Sequence, residues 1–171
     1  MSNLDNIFND RSYTFIVEDI LENQYFQKIK ECKHHGMNRF DHSVRVSYYS
    51  YLLAKKIHLN AVEVARGGLL HDFFVADDLS LKKQKFSMFF HPYASLKNAS
   101  KYFDLTEREK DIIITHMFPS LPHKVPKYME SWIVSLVDKI VATYEFYCSY
   151  GKSYVYRLSN MYVILFILFR W

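Results

Sequence analysis

Residues 61–74 read AVEVARGGLLHDFF, and this short stretch restricts the possible folds of the chain the most. Apolar residues recur at helical spacing and lead directly into the adjacent pair His71 and Asp72. Within the helix, Gly67 and Gly68 would let a neighbouring backbone approach closely. The stretch therefore predicts a packed helix whose end presents an imidazole and a carboxylate. Such a pair is either an ordinary solvated helix end or two ligands of one metal ion.

Working outward from this stretch, the apolar spacing predicts helices and no alternating strand pattern. Only four glycines and four prolines occur in 171 residues, and half of the residues are apolar, which is typical of a compact helical protein. We expect one all-α domain over residues 1–171, with about seven helices. They are predicted at about 13–34, 42–57, 61–71, 91–103, 106–116, 127–149 and 152–171. The fourth helix is expected to start with Pro92 at its first position, after a loop over residues 74–90.

Charge and cysteine content exclude several classes of function. The 22 basic and 18 acidic residues give a net charge of +4, and the basic residues are dispersed apart from short clusters such as Lys82, Lys83 and Lys85. This pattern argues against a partner such as a nucleic acid duplex, whose binding needs a basic surface. The two cysteines form no CxxC motif or paired framework, so we expect free thiols and a cytoplasmic setting.

The two ends of the chain differ in character. The first 15 residues are rich in Asn and Asp and lack the basic and apolar segments of a secretory signal. The apolar run MYVILFILF at 161–169 has roughly half the length that a transmembrane helix requires. We therefore expect no transmembrane span, and we interpret the run as part of a buried terminal helix. The alternative is a segment that docks on a membrane surface or a partner.

Histidine and aspartate residues stand on several of the predicted helices, mostly at the helix ends. Asp138 is the most informative, because it lies in the apolar stretch IVSLVDKIVATY, where an ionised carboxylate needs a compensating charge. A divalent ion would compensate it, and imidazole with carboxylate ligands suits Fe, Mn, Zn, Co or Ni better than Ca or Mg. The candidate ligands, in chain order, are His42, His71, Asp72, His91, His116 and Asp138.

The order of these residues resembles the HD superfamily of metal-dependent phosphohydrolases. In that family a first His is followed by an HD pair and then by a distant Asp, here His42, His71 with Asp72, and Asp138. The surrounding motifs are similar too: FDHSVRVSYYSYLLAKKI, ARGGLLHDF and VSLVDKIVA. The resemblance covers roughly residues 40–149 and implies a single HD-domain helical bundle. The helix at 13–34 and the segment 152–171 lie outside it.

Two further histidines make the chain similar to the binuclear branch of this superfamily. That branch includes symmetrical diadenosine tetraphosphate hydrolases and cyclic dinucleotide phosphodiesterases. The resemblance implies that one ion is held by His42, His71, Asp72 and Asp138, and the other by His91, His116 and a bridging Asp72. The chain departs from the HD-GYP type, because Phe73 follows the HD pair and no GYP triplet occurs. It also has VDKIVA where the tetraphosphate hydrolases carry an apolar-A-D-Y sequence.

The resemblance implies hydrolysis of a phosphate ester or anhydride by a metal-activated water, with a nucleotide as the expected small phosphorylated substrate. One or two divalent transition metal ions would serve as cofactors. His71, Asp72, Arg45 and Lys139 are the predicted catalytic residues. Arg45, Lys82 and Lys83 are the predicted substrate-binding residues. A salt bridge explains Arg45 nearly as well, and a solvated charge run explains the two lysines better.

Two other functions and one assembly state are compatible with the sequence. Some HD proteins with a diiron site are oxygenases, and the ligand set by itself does not separate them from hydrolases. A metal-binding module that senses nucleotides is the other alternative, although such modules usually lack one or more of the ligands. A homodimer is also compatible with the sequence.

Overall fold

The computed structural model describes residues 4–34, 37–75 and 87–151, and eight α-helices lie within these ranges. They are α1 (Leu4–Phe8), α2 (Arg11–Glu22), α3 (Gln24–Gln27), α4 (Arg39–Lys56), α5 (Ala61–Leu70), α6 (Ser87–Tyr102), α7 (Glu107–Thr115) and α8 (Met129–Phe146). A 3-10 turn (Lys28–Glu31) follows α3, and a π-helical turn (Tyr147–Gly151) follows α8. Strands β1 (Lys33–His34) and β2 (Met37–Asn38) form a short antiparallel pair. The predicted all-α class is confirmed, while the predicted helix at 152–171 lies outside the described residues.

The prediction of one continuous helix over 13–34 is wrong. The helix α2 already begins at Arg11, because the Asp10 carboxylate accepts hydrogen bonds from the backbone N–H groups of Ser12 and Tyr13. It ends at Glu22, because the Asn23 side chain caps the next helix through the N–H groups that follow it. The apolar stripe continues across this break, so its spacing alone concealed the boundary.

The predicted start of the fourth helix at Pro92 is also wrong. Helix α6 begins at Ser87, and Pro92 lies inside its second turn. A proline there removes one helical hydrogen bond, which the remaining turns of the helix tolerate. The loop predicted for 74–90 therefore ends before residue 87, and residues 76–86 lie outside the described ranges.

The last two described helices agree more closely with the sequence. The predicted capping box of α7 is present, since Thr106 and Glu109 exchange hydrogen bonds between side chain and backbone at 2.8 and 3.2 Å. Helix α8 is shorter than the predicted 127–149. The Lys127 N–H donates to Asp111 Oδ2 at 3.0 Å instead of entering the helix, which fastens the loop before α8 to α7.

Helices α4 and α5 pack against each other at close range because of a glycine. A Cβ placed on Gly68 would lie 3.1 Å from the Ser47 Cα, so the two backbones meet there. The Ser47 hydroxyl donates to the Ala65 carbonyl at 2.6 Å and accepts from the Tyr13 hydroxyl at 2.8 Å. This contact confirms the close approach that the sequence predicted. It also fixes the position of α5, whose end carries His71.

Two clusters of buried apolar side chains hold the bundle together. The larger one joins the N-terminal helices to α4 and α5, and its fully buried aromatic residues are Tyr13, Phe26 and Phe73. The second joins α4, α5, α7 and α8; its members are Val46, Ala54, Val64, Ile112, Ile133, Val134, Val137 and Val141. Among the described helices, none combines the length and the apolar composition needed to cross a bilayer.

Candidate metal centre

All six candidate ligands are buried, and they meet at one place although five helices carry them. His42 lies at the end of the first turn of α4, and Asp138 lies midway along α8. His71 and His116 are the C-caps of α5 and α7, and His91 lies in α6. Asp72 follows α5 directly. The candidate ligands thus lie at the ends of some helices and within others, and together they form one buried polar cluster.

The first half of the cluster is the carboxylate-side group, which consists of His42, His71 and Asp72 with Asp138 lying against it. The Asp138 Oδ1 atom is 3.1 Å from His42 Nε2 and 3.7 Å from His71 Nε2. His71 Nε2 is 4.0 Å from Asp72 Oδ2. These distances bring two imidazoles and two carboxylates from α4, α5 and α8 to one point.

The second half is the histidine-side group, which consists of Asp72, His91 and His116. The Asp72 Oδ1 atom lies 3.2 Å from His91 Nε2 and 3.7 Å from His116 Nε2. The two Nε2 atoms lie 2.8 Å from each other. Asp72 therefore belongs to both groups, with a different oxygen facing each one.

Backbone contacts determine which nitrogen of two histidines faces the cluster. His71 Nδ1 donates to the Gly68 carbonyl at 2.7 Å, and His116 Nδ1 donates to the Ile113 carbonyl at 2.8 Å. In both cases the acceptor is a carbonyl in the last turn of the helix that the histidine caps. Because Nδ1 carries the proton, the Nε2 lone pair is directed inward, where it can bind a metal ion.

The donor atoms fit a metal ion in spacing and in chemistry. Ligands that bind one transition metal ion at about 2.0–2.2 Å lie about 3.0–3.5 Å apart in tetrahedral or octahedral geometry. The contacts around Asp72 and Asp138, at 3.1–4.0 Å, are close to this spacing. The buried Nε2 atom of His71 has no hydrogen-bond partner among the described residues. A buried lone pair without a donor is costly, and a cation would compensate it.

The electrostatics of the carboxylate-side group favour positive charge. Burial alone would lower the pKa of His42, but the hydrogen bonds to Asp138 and Glu145 outweigh it and raise the pKa to about 10. Burial alone would raise the pKa of Asp138, but the hydrogen bond from His42 and the interaction with the His71 ring hold it well below its usual range. Ionised carboxylates therefore attract a cation to this half of the cluster.

The histidine-side group has the opposite character. Burial, together with the neighbouring rings of His71 and His91, lowers the pKa of His116 to about 3. His116 is therefore neutral at ordinary pH, and its Nε2 atom keeps the lone pair that a metal ion requires. Phe74 stacks on the His91 ring with centroids 5.3 Å apart and adds an apolar wall to this half.

Glu145 is a functional candidate that the sequence interpretation missed. Its carboxylate is buried, accepts from His42 Nδ1 at 2.8 Å and lies 3.1 Å from Arg45 Nη1. The signal was present, because Glu145 lies seven residues after Asp138 on the same face of α8. Arg45 therefore contacts Glu145, whose other oxygen accepts from His42 Nδ1. This contact supports a positioning role for Arg45, and its predicted contact with a substrate phosphate stays a prediction.

Arg39 is the second candidate that was missed, although it stands one turn before His42. Its guanidinium lies 3.8 Å from the centroid of the Phe74 ring and donates to the Phe74 carbonyl at 2.5 Å. The Nε atom is 4.0 Å from Asp72 Oδ2. A buried cation thus stands beside the carboxylate that belongs to both groups.

Lys139 lies at the cluster of candidate ligands. Its ammonium donates to the His116 carbonyl at 2.5 Å and lies 3.3 Å from Asp138 Oδ2, with about a third of the side chain exposed. It therefore contacts an element of each group. Lys82 and Lys83 lie outside the described residues.

The comparison with protein-family models agrees with this arrangement. No curated protein and no solved structure matches the chain. The family model described as HD domain matches residues 39–143, which is more than half of the chain and includes all six candidate ligands. HD domains bind divalent metal ions, and the family consists mostly of metal-dependent hydrolases. On this match, with helices that bring His42, the His71–Asp72 pair and Asp138 together, the chain belongs to the HD domain family.

Proposed function

We propose that the protein is a binuclear metal-dependent phosphohydrolase that acts on a phosphate ester or anhydride of a small nucleotide. The observation that carries the proposal is the position of Asp72 between two groups of buried donors. Its Oδ1 atom faces His91 and His116, and its Oδ2 atom faces His71. A carboxylate that offers one oxygen to each of two groups is suited to bridge two ions.

The residues of the chain support this chemistry in separate ways. Divalent ions in such a centre supply a water of lowered pKa and polarise the phosphoryl oxygens. His71 and His116 keep their Nε2 lone pairs directed inward through the backbone carbonyls of Gly68 and Ile113. Lys139 is partly exposed beside both groups, so we assign it the contact with the charge that develops on the phosphoryl group.

Exposed aromatic side chains on α6, the helix that carries His91, support a nucleotide as the substrate. Phe89, Phe90 and Tyr93 flank His91 on α6, and they are 36–45% exposed. Exposed aromatic rings can stack on a nucleobase. The resemblance to hydrolases and phosphodiesterases of dinucleotides points to the same class of substrate.

Metal analysis combined with a substrate screen tests the proposal. The protein is stripped with a chelator and reloaded with Mn, Fe, Co, Ni or Zn. Each form is assayed for phosphate or nucleotide release from mononucleotides, dinucleoside polyphosphates and cyclic dinucleotides. We expect up to two ions per chain and turnover of at least one nucleotide class. His123→Ala, at an exposed position outside both groups of ligands, is the matched control for the ligand variants and should retain full activity.

Two outcomes would contradict the proposal. A chain that binds two ions and hydrolyses none of these substrates would favour a sensing module. Turnover that requires iron and consumes dioxygen would favour an oxygenase. Hydrolysis with manganese under anaerobic conditions separates our proposal from that second outcome.

A further inference from the structure

Helix α8 is apolar on two opposite faces, and one of these faces is exposed. Its inner face contributes Ile133, Val134, Val137 and Val141 to the second core cluster. Its outer face carries a stripe at spacings of three and four residues, and each member is between 41% and 67% exposed. This α8 stripe consists of Met129, Trp132, Leu136, Ile140, Tyr144 and Tyr147.

An ordinary surface helix presents a polar face to water, so the α8 stripe is unusual. Continuous exposed apolar surface of this kind marks a place where another element packs. The stripe extends along the whole helix, and eighteen residues separate its first and last members. At 1.5 Å per residue its length is about 27 Å, and with a helix width of about 10 Å it offers about 270 Å².

This area is small for an interface between two copies of the chain. A stable dimer buries about 800 Å² on each partner, roughly three times what the stripe provides. A segment of the same chain does not need so large an interface, because its tether gives it an effective concentration in the millimolar range. The area therefore favours an occupant that is covalently connected to α8.

The chain supplies such a segment directly after α8. The helix continues into the π-helical turn that ends at Gly151, next to Tyr147 at the C-terminal end of the stripe. The run MYVILFILF at 161–169 consists of apolar and aromatic residues only. The nine residues 152–160 between them can span about 30 Å when extended, so the run can reach any part of the stripe.

We infer that the apolar run 161–169 docks on the α8 stripe of the same chain. Docking would cover the outer face of the helix whose inner face carries Asp138 and Glu145. The inference is independent of the metal chemistry, because the members of the stripe lie outside the cluster of ligands. A second copy of the chain and a lipid bilayer are the competing occupants of the stripe.

Cross-linking in the full chain tests this assignment. Ile140→Cys and Leu165→Cys are combined in a chain in which Cys32 and Cys148 are replaced by Ser, and mild oxidant is added to dilute protein. We expect a disulfide within one chain, identified by peptide mass. The matched control replaces Ile140→Cys with Val62→Cys, because Val62 is 50% exposed on α5 and lies off the stripe. It should cross-link at least about tenfold more slowly, which corresponds to about 1.4 kcal/mol.

Chymotrypsin digestion provides a second measurement that does not need engineered cysteines. Cleavage within 161–169 should be slow in the full chain and at least about tenfold faster after Leu136→Asp, which places a charge on the stripe. Val62→Asp is the control and should leave the rate unchanged. Thermal unfolding of each variant verifies that the domain is folded.

Three results would overturn the inference. One is equal cross-linking of the two cysteine pairs, and another is cross-linking only between chains, which would indicate a dimer. The third is a cleavage rate that Leu136→Asp leaves unchanged while vesicles of phosphatidylcholine and phosphatidylglycerol protect the run. That last result would assign the run to a membrane surface.

Discussion

The two halves of the candidate metal centre differ in how they are supported. Two further charged residues support the carboxylate-side group: Glu145 accepts a hydrogen bond from His42 and contacts Arg45. Behind the histidine-side group stand a backbone carbonyl, which holds His116, and the Phe74 ring, which stacks on His91. The ligands of one half are therefore supported by charged side chains, and those of the other by a backbone carbonyl and an aromatic ring.

The pKa values reflect this difference. The carboxylates raise the pKa of His42 to about 10, whereas burial and neighbouring rings lower that of His116 to about 3. Two histidines of one cluster thus have pKa values that are shifted in opposite directions. We expect the carboxylate-side group to bind a divalent ion more tightly, because two carboxylates, Asp72 and Asp138, lie there and His42 gives up its proton when the ion binds.

The largest effect is expected from Asp72→Ala, because Asp72 belongs to both halves. Losing it removes a ligand from each ion. Turnover should therefore fall by much more than the roughly 100-fold caused by losing a contact that only supports a ligand. Metal analysis should show fewer than one ion per chain. Thermal unfolding should change little in the metal-free protein, and an Asp72→Ala variant with normal turnover would remove the basis of the proposed mechanism.

The next test compares His42→Ala with His116→Ala. If the halves bind ions separately, each variant should lose about one ion per chain, and the one retained by His116→Ala should be bound more tightly. The tighter binding follows from the intact pair His42 and Asp138. Isothermal titration with manganese or zinc measures both stoichiometry and affinity. Identical titration curves for the two variants would show that the halves are not distinct.

A smaller effect is expected from Glu145→Gln, which keeps an acceptor for His42 Nδ1 but removes the negative charge. Affinity for the tighter ion should fall by about 10–100-fold, as for other contacts that orient a metal ligand. Glu145→Ala should have a larger effect, since it removes the acceptor as well. The His116→Ala background isolates the tighter ion, and an unchanged affinity there would exclude a role for Glu145 in metal binding.

The smallest effect is expected from Lys139→Gln, because about a third of this side chain is in contact with water. Lys139 touches Asp138 and the His116 carbonyl without belonging to the donor groups. We expect kcat/KM to fall by about tenfold, or roughly 1.4 kcal/mol, while both ions remain bound. Loss of an ion in this variant would mean that Lys139 organises the ligands and has no separate role toward the substrate.

The sequence was most informative where a signal was local. The capping box of α7 depends on residues within one turn of each other, and the close approach at α5 depends on the adjacent pair Gly67 and Gly68; both are present. The order of the HD motif identified the family before any geometry was known. Two predicted helix boundaries were wrong. The Asn23 side chain caps a new helix and so divides the predicted N-terminal helix, and α6 contains Pro92 in its interior instead of starting there.

The contacts behind the ligands required the tertiary structure. His42 and Glu145 are 103 residues apart in the chain, and His91 and His116 are 25 apart. No periodicity along the chain reports which side chains meet across helices, because that depends on how the helices cross.

By itself, the sequence determined the all-helical class, the HD family motif and the helices that carry its histidines and aspartates, since these follow from apolar spacing and motif order. Only the tertiary structure decided that Asp72 turns one oxygen to each half and that Glu145 and Arg39 stand behind the ligands. It also decided that the outer face of α8 is apolar and exposed within the described part of the chain. The physical reason is that burial, ring orientation and charge pairing are set by packing between helices, and packing is a property of the folded chain.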